Sequence, residues 1–333
     1  MLITGCHRSG TSLLASLLVD ALGHAREADM APAPDNPRGF FESRRLTSFN
    51  DQLLAALGGD WCHPPLTPPR WSEPPLLDLI AAAREPFAAY AQSRDWLDKD
   101  PRLCITLPAL QHLLLRRVPV LAALRDPLQV AASLRLRNGF AMEHGLALWF
   151  LYNHHLAAAL RPDDLLITYA ELLAEPARSD HASPLLSRLT AFLDTHGHRA
   201  PSPVVWAEIV ARRVEPTLNR AAVLPSDGAA EGRLSPELLA LVNDAYRQAS
   251  QGVDAHRRAF ASLPWMILDL CGQWRIGAPG AEQQQRNEHL QGELAHGLRQ
   301  ITDQQHQLEA LRASASWQIT APLRWLARRC RQR

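Results

Sequence analysis

Apolar runs of strand length alternate with helical patterns over the first half of the chain. Residues 2–4, 118–124 and 164–168 are such runs, and each leads into a polar turn followed by an apolar helical pattern. Short apolar runs bounded by turn residues are typical of buried parallel strands. Repeated strand–turn–helix units therefore predict an α/β domain with a mostly parallel sheet flanked by helices.

The rest of this pattern contains further helices, one more strand end and two irregular segments. The segment 61–75 contains six prolines, and residues 31–41 are rich in Pro, Gly and Asn, so both are predicted to be irregular. A short strand is predicted to end at Pro101, within residues 95–102. Four helices are predicted over 43–57, 76–92, 128–137 and 142–160. Two more are predicted, one directly after the first turn and one after Tyr169.

Polar residues stand at the carboxyl ends of three predicted strands. They occupy positions 5–12, 99–102 and 125–126. Parallel α/β sheets bind their ligands at the carboxyl ends of the strands. We therefore expect these three segments to converge on one crevice.

The composition changes after about residue 280, where Gln, Glu and Arg become frequent and leucines sparse. A seven-residue repeat fits in part, which predicts a helical stalk or coiled coil over 281–313; a lone solvated helix is the alternative. Residues 314–333 combine two tryptophans with five arginines. Such a tail suits a membrane interface or an acidic partner, and a loosely docked basic terminus is the alternative. The predicted organisation is thus a domain at 1–275, a stalk and a basic tail.

Charge and cysteine content disfavour several classes of protein. The chain of 333 residues has 35 basic and 34 acidic residues, which disfavours a nucleic-acid-binding domain driven by bulk positive charge. Its five cysteines are scattered without a C-x-x-C pair, which disfavours a disulfide framework and a zinc ribbon. No apolar run reaches 18 residues and no signal peptide opens the chain, so we expect a cytoplasmic protein.

Lys99 is the single lysine, and arginine supplies the other 34 basic residues. A bias toward GC-rich codons explains the arginines and leaves this exception unexplained. Chance is the alternative explanation. The position lies at a predicted strand end, so Lys99 is a candidate functional residue.

The first turn, Gly5-Cys-His-Arg-Ser-Gly-Thr-Ser12, lies between a strand and a helix, where a Walker A loop would stand. The N–H groups of such a turn and of the following helix form an anion cradle. A Walker lysine would follow Gly10, but Thr11 occupies its place, which argues against kinase or ATPase chemistry. Arg8 supplies a cation inside the turn instead.

This run resembles the 5′-phosphosulfate loop of sulfotransferases that use 3′-phosphoadenosine 5′-phosphosulfate (PAPS). A second element matches the same family: Arg125 follows a strand, and Ser133 stands eight positions later, the pattern that grips the 3′-phosphate. The resemblance covers about residues 1–270 and is strongest up to residue 176. It implies a P-loop-like fold and a nucleotide donor bound by Gly5, Cys6, His7, Arg8, Ser9, Gly10, Thr11, Ser12, Arg125, Ser133 and Tyr169.

Catalytic roles are implied by the same resemblance. Lys99-Asp-Pro-Arg102 is similar to a lysine-bearing strand end of bacterial sulfotransferases, and residues 36–42 are similar to a stretch in which a glutamate acts as base. Glu42 is therefore the expected base, and Arg8 and Lys99 are expected to stabilise charge on the leaving phosphate. His7 and His63 are alternative bases, and a role of Glu42 at a helix N-terminus is a structural alternative. No metal is required.

The chain departs from the family in one respect that concerns the donor. The Arg-Lys-Gly triplet of the cytosolic enzymes is missing, so a second contact to the 3′-phosphate is unassigned and Arg220 is only a weak candidate.

A carbohydrate acceptor is favoured because the segment 61–71 offers two tryptophans for stacking on sugar rings. The ending at 314–324 also resembles those of bacterial enzymes that build surface polysaccharide, which implies peripheral contact with a membrane-bound assembly system. The stalk is a candidate for contacts between copies of the chain. Two other functions stay open: a P-loop nucleotide kinase or NTPase, and a non-catalytic scaffold in a polysaccharide complex.

Overall fold

Four parallel strands form the sheet that carries the three predicted turns. The computed structural model describes residues 1–23, 41–93, 95–175, 183–214 and 234–277. Within these residues the strand order is β2–β1–β3–β4, with every neighbouring pair parallel. The strands are β1 (Leu2–Thr4), β2 (Asp98–Lys99), β3 (Val120–Leu124) and β4 (Leu165–Thr168). The predicted α/β architecture with a parallel sheet is confirmed.

Helices follow or separate these strands along the described chain. Those before β3 are α1 (Thr11–Leu22), α2 (Arg44–Ala56), α3 (Leu76–Ala82), α4 (Ala88–Gln92) and α5 (Leu103–Leu114). Those after it are α6 (Pro127–Asn138), α7 (Met142–Ala159), α8 (Tyr169–Ala174), α9 (Pro184–Thr195), α10 (Pro203–Arg213), α11 (Pro236–Ala249), α12 (Val253–Ala259) and α13 (Trp265–Gly277).

Local sequence signals explain where several helices begin. Asp126 caps α6, since its carboxylate accepts the Gln129 N–H at 2.9 Å, and Pro127 follows as the first helical residue. Thr168 and Glu171 form a reciprocal capping box at the start of α8. Each cap fixes the end of a strand relative to the helix that follows.

The single helix predicted over 76–92 is wrong. The chain forms α3 and α4 there, separated by a turn at residues 83–87. Pro86 has no N–H to donate and disfavours the helical conformation of the residue before it, which accounts for the break. The turn places Phe87 between Phe49 and Tyr90, each 5.3 Å away between ring centroids.

Both faces of the sheet are covered, as a parallel sheet requires. One cluster packs on α2, α5 and α7, and its strand residues are Leu2, Val120, Ala122, Leu124 and Leu166. The other packs on α1, α9 and α10, and its strand residues are Ile3, Leu121, Ala123 and Ile167. Thirteen of the eighteen residues of α7 are buried, so this helix is central to the domain.

None of the helices in the described part of the chain has both the length and the apolar character needed to cross a bilayer. Residues 61–75 form turns and irregular backbone, as predicted. The predicted loop up to residue 40, Arg220, the stalk at 281–313 and the tail at 314–333 lie outside the described residues. Those predictions stay predictions.

Candidate functional site

The strand order creates a switch point between β1 and β3. From β1 the chain crosses to β2 on one side, and from β3 it crosses to β4 on the other. The loops that leave two such neighbouring strands diverge, and ligands of open α/β sheets bind in the crevice between them. Residues 5–10 and 125–126 are the two diverging turns.

Three residues of the first turn have left-handed backbone. The φ angles are +150° at Gly5, +68° at Arg8 and +89° at Gly10. A Cβ atom at Gly10 would lie 2.4 Å from the ring of Tyr169, so no other residue fits without displacement. Turns with such backbone direct successive N–H groups into a concavity, and such a concavity binds anions.

The turn ends at the N-terminus of α1, where the helix has no side-chain cap. Gly10 is the cap residue, and the first helical turn contains no acidic side chain. The first N–H groups of this 12-residue helix and its dipole therefore favour an anion. The buried Ser9 hydroxyl, beside them, has no hydrogen-bond partner among the described residues. Thr11 and Ser12 are the first two residues of α1.

Two hydrogen bonds join the first turn to the segment that follows β3. Arg8 Nε donates to Ser133 Oγ at 2.9 Å. Arg125 Nη1 donates to the carbonyl oxygen of Arg8 at 3.0 Å, and its Nε donates to Gln129 at 3.2 Å. The two sequence motifs are therefore parts of one cluster, although more than a hundred residues separate them.

Tyr169 completes this cluster from the end of β4. The Arg125 guanidinium lies 4.3 Å from the centre of the Tyr169 ring, and the ring also packs against Gly10. Trp149, on α7, donates from Nε1 to the carbonyl oxygen of Arg125 at 2.9 Å. Contacts thus link five of the predicted donor-binding residues from three strand ends, namely Arg8, Gly10, Arg125, Ser133 and Tyr169. Trp149 is a support that the sequence alone did not indicate.

Lys99 and Glu42, predicted in different roles, form an ion pair. Lys99 Nζ lies 2.5 Å from Glu42 Oε1, and the two residues are 2% and 7% exposed. Burial raises the pKa of Glu42 above its usual value, and the positive charge of Lys99 opposes this rise. Burial thus makes the Glu42 carboxylate better suited to take up a proton, and the ammonium group of Lys99 keeps it ionised until then.

The end of β2 lies directly beside the first turn. Lys99 is in register with Ile3 of β1, and Thr4 Oγ1 donates to the carbonyl oxygen of Asp100 at 3.0 Å. Arg102 is held by acidic neighbours, with Nε 2.6 Å from Asp51 and Nη1 3.2 Å from Asp100. Lys99, and not Arg102, therefore provides the strand-end cation closest to Glu42.

Asp98 fixes the backbone on both sides of this ion pair. Its carboxylate accepts from the Ser43 hydroxyl and the Tyr90 hydroxyl, each at 2.6 Å, and from the Lys99 N–H at 2.8 Å. Burial raises the pKa of Asp98 to about 6, although the hydrogen bonds from Ser43 and Tyr90 lower it. Sequence reasoning missed this network; its one visible signal was an aspartate directly before the single lysine.

Ser43 also caps α2, which places Glu42 one residue before the cap. The carboxylate of Glu42 contacts Lys99, so its first role is an ion pair and not that of a residue inside the first helical turn. Phe41, directly before it, is buried and has φ +56°. Left-handed backbone at a large side chain marks a local constraint, and here it directs Glu42 toward β2.

His7 lies where the cations converge. Its ring centroid is 4.6 Å from that of Trp61 and 5.4 Å from that of Tyr152. Burial lowers the pKa of His7 well below its usual value, and the charges of Arg102, Arg137, Lys99 and Arg8 lower it further. The buried Nε2 atom has no hydrogen-bond partner among the described residues. The imidazole is therefore neutral at neutral pH, within the field of Arg8 and Lys99.

Cys6 contributes its backbone N–H group to the turn, and its thiol has no chemical role there. Its side chain is buried in the core, and burial raises the pKa of its thiol well above the usual value. A thiol held in its protonated form is a poor nucleophile and a poor metal ligand.

Trp61, Phe140 and His144 form an aromatic wall beside His7. Trp61 and Phe140 are stacked with centroids 5.8 Å apart, and Phe140 and His144 are stacked at 4.3 Å. Tyr152 holds the wall on α7, because its hydroxyl donates to the carbonyl oxygen of Trp61 at 2.7 Å. Trp61 was expected from the sequence. Phe140 and His144 were missed because they lie about eighty residues further along the chain, just before α7 and in its first turn.

One group of side chains in the described residues has the composition of a metal site. The ligand atoms of Asp60, Cys62 and His63 lie within 4.8 Å of one another. The Asp60 carboxylate, however, accepts the N–H groups of Cys62 at 2.8 Å and His63 at 2.7 Å and so closes a turn. Burial and the Asp60 charge raise the pKa of the Cys62 thiol, which disfavours the thiolate. We assign these residues to the conformation of the loop.

Comparisons with known proteins were made with the whole chain. A scan against models of protein families gives no match, and a search of curated proteins gives no match either.

Proposed function

We propose that this chain is a sulfotransferase that moves the sulfuryl group of PAPS to a hydroxyl group of a glycan. The observation that carries the proposal is the pair of hydrogen bonds from Arg8 to Ser133 and from Arg125 to Arg8. They unite an anion-binding turn with a second cationic segment at a switch point of the sheet. A nucleotide with phosphates on both sides of its ribose requires two such anion sites close together.

Each anionic end of the donor would bind a defined set of residues. The 5′-phosphosulfate would bind to the N–H groups of residues 5–12, the Ser9 hydroxyl and the Arg8 guanidinium. The 3′-phosphate would bind Arg125 and Ser133. The unpartnered, buried Ser9 hydroxyl supports this placement, because such a group is costly unless a ligand accepts its hydrogen.

In the proposed reaction the bond from sulfur to the 5′-phosphate oxygen breaks as the acceptor oxygen bonds to sulfur. Negative charge grows on the leaving phosphate, so fixed positive charge nearby lowers the barrier. Arg8 and Lys99 supply that charge. Glu42 accepts the hydroxyl proton, and adenosine 3′,5′-bisphosphate leaves.

A glycan acceptor is supported by the aromatic wall, because aromatic faces pack against the C–H faces of sugar rings. Trp61 is partly exposed and lies against His7 of the anion-binding turn. A cytoplasmic enzyme acting beside a membrane-bound assembly system, with the basic tail as its contact and the stalk joining copies, is part of the same proposal.

The proposal is tested by thermal unfolding with adenosine 3′,5′-bisphosphate, with ATP and Mg²⁺, and in buffer. A ligand at a hundredfold excess over its Kd stabilises the folded protein by about 2.7 kcal/mol, which raises Tm by several degrees. We expect this rise with the bisphosphate, its loss in Arg125→Ala and its retention in Arg135→Ala, a control at an exposed residue of α6.

A rise with ATP and Mg²⁺ alone would favour a kinase, and no rise would favour a scaffold. Either result contradicts the proposal. Sulfate transfer from PAPS to a panel of oligosaccharides is then the direct measurement.

A further inference from the structure

A groove of about 700 Å³ lies between the end of α7 and α12, beside the loop that carries Trp61 of the aromatic wall. Its apolar lining includes Pro68 of the loop together with Ala157 and Ala158 of α7. Its polar lining consists of His154, Asp254, Arg257 and Arg258.

One loop and one helix, the segment 61–75 and α7, contribute residues to both the aromatic wall and the groove. The loop bonds to α7 twice: Trp61 accepts from Tyr152, and the Pro65 carbonyl oxygen accepts from His155 Nε2 at 2.7 Å. The same loop reaches the groove at Pro68. Tyr152 and Ala158 are six residues apart on α7, so their backbones are about 9 Å apart at 1.5 Å per residue. The two sites are therefore close along α7, within the length of an extended oligosaccharide.

The polar groups of the groove suit an acidic sugar chain. His154 Nδ1 lies 2.8 Å from the carbonyl oxygen of Phe260, which only accepts, so Nδ1 carries the hydrogen and Nε2 of the neutral ring is an acceptor for a hydroxyl group. Arg257 lies 3.7 Å from Asp254, and the two side chains are 45% and 64% exposed. An exposed pair this long is weak, so the guanidinium of Arg257 is available to carboxylates.

We propose that this groove is a second acceptor subsite, which binds carboxylate-bearing sugar units of an anionic polysaccharide some units away from the accepting hydroxyl. The inference rests on the proposed function and specifies its acceptor as a polyanion. The apolar lining contacts the ring faces, His154 and Asp254 bind hydroxyl groups, and Arg257 and Arg258 bind carboxylates. None of these residues has a part in the reaction itself.

The test measures binding of oligogalacturonates of two and eight units to the full chain by calorimetry, with a neutral maltooctaose for comparison. We expect the acidic octamer to bind at least tenfold more tightly than the acidic dimer or the neutral octamer. In Arg257→Ala/Arg258→Ala the affinity for the acidic octamer falls about tenfold, and the affinity for neutral maltooctaose is unchanged. The matched control Arg84→Ala/Arg247→Ala removes the same charge at exposed positions that do not line the groove, and it keeps the preference.

Equal binding of the acidic octamer and dimer, or an octamer affinity that the groove variant does not change, would overturn the subsite. The two proposals fail in different ways. Loss of the proposed function removes stabilisation by adenosine 3′,5′-bisphosphate in the wild-type chain, whereas the groove variant is expected to keep that stabilisation unchanged.

Discussion

Lys99 is a compact charge held almost entirely out of solvent, and its partner Glu42 is nearly as buried. Such a pair is weak support for stability, because removing two charges from water costs about as much as their attraction returns. The pair is better explained by chemistry: the two groups that the proposed reaction needs, one cationic and one basic, lie 2.5 Å apart.

We predict that Lys99→Ala lowers kcat for sulfate transfer by about a hundredfold or more and changes the affinity for adenosine 3′,5′-bisphosphate by less than about threefold. In the proposed reaction Lys99 acts on charge that develops only as the donor bond breaks, so its loss is expected to affect turnover and not ground-state binding. Steady-state kinetics and calorimetry measure the two quantities. Turnover within about twofold of the wild type would show that Lys99 has no such role.

Glu42→Gln keeps the size of the side chain and removes its ability to accept a proton. A positioned base contributes about 10² to 10⁴ in rate, so a loss in this range is expected. Full sulfate transfer by Glu42→Gln at neutral pH would assign the base elsewhere, and neutral His7 is then the next candidate.

Asp98 gives a pH dependence whose sign follows from its raised pKa. The folded protein holds this proton to about pH 6, whereas an unfolded aspartate loses it near pH 4. Its contribution to stability is therefore fully present below about pH 4 and is lost as the pH rises through 6. At about 1.4 kcal/mol per unit the span is roughly 3 kcal/mol.

The measurement is the free energy of urea unfolding between pH 4 and pH 7 for the wild type and for Asp98→Asn. We expect the difference between the two curves to change by a few kcal/mol over this window. Parallel curves would show that Asp98 does not titrate there.

At the scale of elements, the positions of strands and turns followed from local signals, because short apolar runs and caps act within a few residues. The break at Pro86 was missed because the surrounding apolar pattern continued on both sides. The network of Ser43, Tyr90 and Asp98 was missed for a different reason. It joins the start of α2, the middle of α4 and the start of β2. No local sequence pattern predicts which polar groups of these three elements form hydrogen bonds with one another.

Gly10, in the turn before α1, cannot be replaced without displacing a neighbouring side chain. An alanine at position 10 would have a left-handed φ of +89°, which strains its backbone. Its methyl group would also lie 2.4 Å from the ring of Tyr169. We predict that Gly10→Ala loses several kcal/mol of stability and abolishes binding of adenosine 3′,5′-bisphosphate, because the turn and Tyr169 must both move.

Gly139→Ala is the matched control. Gly139 has φ +73° at the end of α6, but a methyl group there meets no atom within 4 Å. Gly139→Ala is therefore expected to lose about 1–2 kcal/mol of stability from backbone strain alone, because no clash is added. It is expected to keep bisphosphate binding. Equal effects of the two variants on stability and binding would show that Gly10 is required only for its left-handed φ angle, and not for the space beside Tyr169.

At the scale of the whole molecule, the arrangement depends on the sheet bringing distant segments together. Parallel topology predicted that residues 5–12, 99–102 and 125–126 would share one edge, and they do. It did not predict that Arg8 would bond to Ser133, or that Lys99 would bond to Glu42. Those choices depend on side-chain packing across α1, α2 and α6, which only the folded chain defines.

This coupling between distant segments is measurable with a double-mutant cycle of Arg8→Ala and Ser133→Ala. The two residues are partners in one hydrogen bond from a charged donor, so their effects on the free energy of unfolding are expected to be non-additive by about 1 kcal/mol. The same cycle on bisphosphate affinity is also expected to be non-additive, because both residues bind one ligand in the proposed site. A matched cycle of Arg8→Ala with Arg135→Ala, on the exposed side of the same helix as Ser133, should be additive within about 0.3–0.5 kcal/mol. Additivity in the first cycle as well would separate the two motifs energetically, and the single nucleotide site proposed between them would lose its basis.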